Sequence, residues 1–196
     1  MPYDLSTYNW QFYQENQREG LLHAKWFMPL LLKTFDFNSI VDVGCGTGHF
    51  LKWCADNGIP DHYGIEGSKY AVNNPLVPGV DLADLRFPFE HPRRFDLALS
   101  IEVAEHLEPE YADTFVDTLC GLSNTVVMTA AVPGQGGHHH ENEKPKEYWI
   151  DKFMDRGYFH DNVSCGKIHD GIAAARSSGE HVAFWLNDVM VFRKTA

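Results

Sequence analysis

The sequence has 196 residues, 44% hydrophobic and 22% charged, with a formal net charge of −11. That length suits one domain with one sizeable core. The acid excess disfavours a nucleic-acid partner, which needs a basic face to neutralise phosphate, and Arg93-Arg94 is too short a cluster to supply one.

No apolar run is long enough to span a bilayer, and the start lacks the basic and then apolar pattern of a secretion signal. Cys45, Cys54, Cys120 and Cys165 show no CxxC spacing. A cytoplasmic protein with reduced thiols and no membrane partner is therefore expected.

Residues 9–35 read as a helix with an apolar second half (Leu21, Leu22, Trp26, Phe27, Leu30, Leu31), which Pro29 should kink or split. Tyr3, Tyr8, Trp10 and Tyr13 form an aromatic segment that reads equally as a lid or as packing for that helix. Residues 39–43 are a short apolar run ending in glycines, the pattern of a buried parallel strand. A helix over 47–57 follows, stopped by Gly58 and Pro60. Residues 62–66 give a second strand, a short helix starts at Ser68, and residues 80–85 give a third strand. The run 95–101 is a strong fourth strand. Pro109 sits at the start of a helix over 108–122, and 125–131 is a fifth strand. A Gly- and His-rich loop covers 133–146, and a helix over 145–156 ends at Gly157. Residues 158–164 and 181–193 look β-like, with 166–179 between them.

Strands alternating with helices predict an α/β fold: a Rossmann-like, seven-stranded, mostly parallel sheet with helices on both faces, closed by a C-terminal antiparallel hairpin. One domain over 1–196 is expected. It divides into an N-terminal helical segment (1–37), a cofactor-binding core (38–131) and an acceptor-side loop, helix and hairpin (132–196).

In such sheets ligands bind outside the carboxyl ends of the strands, and each candidate residue falls there. Asp42, Gly44, Cys45, Gly46 and Gly48 form a loop whose glycines admit close approach of a ligand, ahead of a helix N-terminus that suits an anionic group. The dinucleotide fingerprint GxGxxG is not met, because its third place is His49. Glu66, followed by Gly67, ends the second strand at the spacing where a carboxylate grips ribose hydroxyls. Asp84 and Leu85 follow the third strand. Ser100, Ile101 and Glu102 end the fourth, and Glu105 and His106 crowd the same mouth. His106 has the ordinary pKa of a general base; Glu102 or His106 could equally anchor the loop. Of the three loop histidines at most one or two can face a site; His139, His140, Glu141 and Asn142 are the candidates.

The Gly44–Gly48 spacing resembles motif I of S-adenosylmethionine (SAM) methyltransferases. Asp84-Leu85 resembles their adenine-holding pair, and the segment from Phe95 to Leu107 resembles the motif after their fourth strand. Nearly the whole chain is similar to stand-alone class I methyltransferase-domain proteins of bacteria and phages. The resemblance implies SAM as donor, S-adenosylhomocysteine (SAH) as product and a small-molecule acceptor, with a sugar or secondary metabolite as the finer suggestion. Catalysis would fall to His106, His139, His140 and Glu105. The pattern Glu102-x-x-Glu105-His106 is also similar to the metal motif of small-RNA 2′-O-methyltransferases. The same letters occur in metal-free relatives, so no metal is expected. Metal-dependent RNA 2′-O-methylation, nicotinamide-dependent oxidoreduction and a non-catalytic SAM-binding module are the alternatives. The departure of residues 166–179 from the family points to an adapted acceptor pocket.

Overall fold

The computed structural model describes residues 10–195, except for the side chains of residues 10 and 14–16. Tyr3, Tyr8 and the Trp10 side chain lie outside the described residues, so of the aromatic segment only Tyr13 can be placed.

The chain runs α1 (Trp10–Phe35), β1 (Ser39–Val43), α2 (His49–Asp56), β2 (Asp61–Glu66), α3 (Lys69–Asn73), β3 (Val80–Leu82), β4 (Leu97–Ser100), α4 (Ala112–Leu122), β5 (Thr125–Met128), α5 (Lys146–Met154), β6 (Tyr158–His160), α6 (Asn162–Ser177) and β7 (Met190–Lys194). Short 3-10 turns cover Ala104–His106, Pro109–Tyr111 and Phe184–Asp188. The seven strands lie in the order β3-β2-β1-β4-β5-β7-β6. The first five pair in parallel, and β7 is antiparallel to both β5 and β6. The strand order reverses between β1 and β4, which places the ligand crevice of such sheets at their carboxyl ends.

Period-2 alternation divides the strand side chains between two apolar layers. Ile40, Leu97, Leu99, Val127 and Val191 pack with Phe27, Leu31, Phe50 and Ile168 of α1, α2 and α6. Val41, Ala98, Val126, Met128 and Phe192 pack with Phe115, Leu119, Trp149 and Phe153 of α4 and α5. The Phe153 and Phe192 rings stack at 3.8 Å.

Two expectations change. Pro29 does not split the N-terminal helix, which is continuous as α1. The proline removes one backbone bond, but Ala24, Phe27, Met28 and Leu31 are buried around it and hold the turn in place. The second change concerns β6 and β7, which are antiparallel as expected but are joined by a 16-residue helix rather than a turn. Asp161 caps that helix, accepting from the Ser164 amide at 3.0 Å. Its Gly171 passes so near α1 that a Cβ there would lie 2.6 Å from Leu30. Gly171, one of the glycines that obscured the helix in the sequence, lets it dock.

Candidate active site

β1 delivers Gly44, Gly46 and Gly48 with φ of 79°, 56° and 84°, the left-handed region that glycine enters without strain. Gly44 is also forced by space, since a Cβ on it would sit 2.4 Å from a methyl of Val103. The Gly44 amide donates to the Ile65 carbonyl at 2.7 Å, and Gly48 caps α2.

Glu66, at the end of β2, organises this loop. One oxygen accepts from the Gly46 amide at 2.8 Å. The other accepts from the Ser68 amide at 2.7 Å and the Tyr13 hydroxyl at 3.3 Å. The carboxyl is 8% exposed, and burial raises its pKa against the lowering effect of those donors. The Tyr13 ring stacks on Tyr70, so the N-terminal helix closes over this end. Asp42 is 2% exposed, and its Oδ2 is buried without a partner. Burial, and then the charge of Glu66, push its carboxyl up to about 8. Asp84 pairs with Arg86 at 2.6 Å, and the Arg86 hydrogen bonds hold its pKa down.

Past β4 the chain turns sharply. Glu102 has a φ of 54°, and its amide donates to Thr129 Oγ1 at 3.0 Å. Its Oε2 accepts from Gln135 at 2.9 Å, while Oε1 is buried without a partner. Glu105 is 0% exposed, and neither carboxyl oxygen has a partner. Burial, with the charge of Glu102, pushes its pKa up to about 9. Its carbonyl accepts from the Glu141 and Asn142 amides at 2.8 and 3.0 Å, which pins the histidine loop above it.

The imidazole of His106 meets the His139 carbonyl through Nδ1 at 3.2 Å. A carbonyl only accepts, so that nitrogen carries the proton and the lone pair is on Nε2. Burial lowers the His106 pKa to about 4, so the ring is neutral at physiological pH. His140 Nδ1 faces Glu143 at 3.0 Å. Glu105, His106 and His140 each present a donor atom, all within 4.8 Å of one another.

One cavity of about 450 Å³ joins the two ends. Asp42, Gly44, Cys45, Gly46, Glu66 and Gly67 line it on the glycine-loop side, Asp84 and Leu85 at one rim, and Ile101, Glu102 and His106 on the other side with His140. Six expected residues lie elsewhere, Glu141 and Asn142 among them. Ser100 is buried and spends its hydroxyl on the Val43 carbonyl at 2.8 Å. Gly48 is the helix cap and faces Val77. Glu105 stands behind the wall rather than in it. His139, with φ of 56°, turns its ring outward and its carbonyl inward.

The structure adds His138, His23, His49 and Trp185 to the lining. His23 and Trp185 come from elements more than 150 residues apart, and no local pattern marks either. Glu141 is exposed. Asn142 is 1% exposed beside Glu105, with both side-chain amide atoms unpartnered.

The family model described as the methyltransferase domain matches residues 13–149. The chain belongs to that family. It is a SAM-dependent methyltransferase with the class I, Rossmann-like fold. Among solved structures the methyltransferase is similar to DesVI of Streptomyces venezuelae, with a TM-score of 0.68, 14% identity, and 94% of this chain and 96% of that one covered. It is similar to the sugar N-methyltransferase KedS8 of Streptoalloteichus sp ATCC 53650 (0.67, 15%, 95% and 92%). The plantazolicin methyltransferase BpumL, solved in complex with SAH, is a third (0.63, 15%, 94% and 88%). No curated protein matches the methyltransferase in sequence. Among its described residues no helix is long and apolar enough to cross a membrane.

Proposed function

We propose that this methyltransferase moves a methyl group from SAM to an oxygen or nitrogen of a small molecule. The observation that carries this reading is the single cavity running from the Glu66-anchored glycine loop to the His106–His140 end. Donor and acceptor would meet inside it, and methyl transfer depends chiefly on holding two reactants in line. Gly44 to Gly46 and Asp42 take the methionine portion, Glu66 the ribose hydroxyls, and Asp84 with Leu85 the adenine. The acceptor lone pair attacks the methyl carbon, the carbon–sulfur bond breaks, and its electron pair stays on sulfur. The acceptor proton leaves through His106 and His140, which line that end of the cavity.

A cavity of this volume suits a small molecule. Arg86 is the only Lys or Arg among its described lining residues, and it is tied to Asp84. That arrangement, with the net charge, favours a small molecule over RNA. The sugar N-methyltransferase among the structural neighbours supports a sugar or secondary metabolite as the finer reading.

The test is calorimetric titration with SAH and, separately, NADH. Micromolar binding of SAH, about −8 kcal/mol, with none of NADH is expected. The reverse result would return the glycine loop to the oxidoreductase reading.

SAH affinity should also depend on pH. Asp42 is neutral below about 8 in the empty site, and the ammonium of SAH favours its ionised form. Affinity should therefore rise with pH toward that value, by at most about tenfold per unit, and Asp42→Asn should flatten the slope. A flat wild-type profile would remove Asp42 from ammonium recognition.

A further inference from the structure

Trp185 lines the cavity from a segment that holds no part of the cofactor in the reading above. It belongs to the 3-10 turn Phe184–Asp188, and neighbouring elements pin that turn. Leu186 is 0% exposed in the apolar layer beneath it. Arg176, in the last turn of α6, donates to the Asn187 side-chain oxygen at 2.8 Å. Lys146, at the start of α5, donates to the Asn187 carbonyl at 3.0 Å and pairs with Asp188 at 3.3 Å. From α1, His23 meets the Trp185 ring edge-to-face with centroids 5.7 Å apart, and it also stacks on His181 at 5.8 Å. An aromatic face held this firmly loses little freedom when a ring lies against it.

The charges around the face are selective. His23 is 4% exposed, and burial, followed by the charge of His181, lowers its pKa. Burial takes His49, also in the lining, down to about 4. Both imidazoles are therefore neutral at physiological pH. Asp42, Glu66 and Glu102 line the same cavity, and its one described arginine is engaged by Asp84. A phosphate or carboxylate on the acceptor would meet carboxyl groups and give up its hydration without a cation in exchange.

We propose that Trp185, backed by His23 and set in place by Arg176 and Lys146, is the acceptor-selecting surface, and that it takes the flat face of a ring compound carrying no phosphate or carboxylate. The assignment deepens the methyl-transfer reading and rests on it. It also connects residues 166–179 to the acceptor. Arg176 is a positioning residue that acts through Asn187 and touches no part of the ring.

The test uses the full chain saturated with SAH, probed by saturation-transfer NMR with paired ring compounds. The pairs are phenol with phenyl phosphate, and methyl glucoside with glucuronate. The uncharged member of at least one pair should bind and its anionic counterpart should not, and the pair that responds tells an aromatic acceptor from a sugar. Trp185→Ala should weaken that binding by at least about tenfold. Trp185→Phe should keep most of it, and Arg176→Ala should fall between the two. SAH affinity, measured on each variant, should be unchanged and reports that the variant is folded. Absence of binding by both uncharged rings overturns the proposal, as does equal binding of the anionic ones. Ring binding that survives Trp185→Ala also overturns it. So does an equal fall in SAH affinity in that variant, which would give Trp185 to the cofactor. Failure of the wild type to bind SAH strikes the methyl-transfer reading instead.

Discussion

Replacing His106 with asparagine should lower turnover by about 10²–10⁴-fold, the usual contribution of a positioned acid–base group, and leave SAH affinity unchanged. The asymmetry follows from position. His106 lines the cavity at the end away from Glu66, and its neutral ring presents a lone pair on the nitrogen opposite the His139 carbonyl. The loss of that lone pair falls on the acceptor step. Single-turnover methyl transfer with SAH titration as its companion separates the cases. Equal falls in turnover and in SAH affinity would mean that His106 only supports the loop.

Replacing Glu66 with alanine should act on the other half of the site, weakening SAH binding by about 5–150-fold, or roughly 1–3 kcal/mol. Two losses combine. The ribose hydroxyls lose a buried carboxylate acceptor, and the Gly46 and Ser68 amides lose the group that fixes the glycine loop. Glu66→Gln keeps one acceptor oxygen and should fall between the two. Calorimetry reads both, and unchanged affinity in the alanine variant would remove Glu66 from the site.

The sequence made the centre of the fold readable and blurred its rim. β1, β4 and β5 lie under helices on both faces, so they are buried almost throughout and mostly apolar, and such runs announce themselves. α6 stayed hidden because Gly166 and Gly171 lower its helix propensity, and the packing of Leu30 on Gly171 repays them through a contact far away in sequence. The same division holds in the site. The glycine loop and Glu66 are joined by backbone geometry that leaves a local spacing. The histidine loop gave residue types without directions. His139 and His140 are adjacent and chemically identical, and one left-handed backbone angle decides that the former contributes its carbonyl and the latter its ring. His23 and Trp185 reach the cavity through tertiary packing alone.

The place of β7 has a bearing on biosynthesis. β7 lies between β5 and β6, so β5 has only β4 beside it, and β6 has no neighbouring strand, until Met190–Lys194 is available. During vectorial synthesis β5 presents an open edge on that side until β7 emerges. Exposed edges of that kind template intermolecular pairing. The chain made only as far as β6 is therefore the aggregation-prone species, and the emergence of β7, rather than collapse of the cofactor-binding half, is the step that closes the sheet.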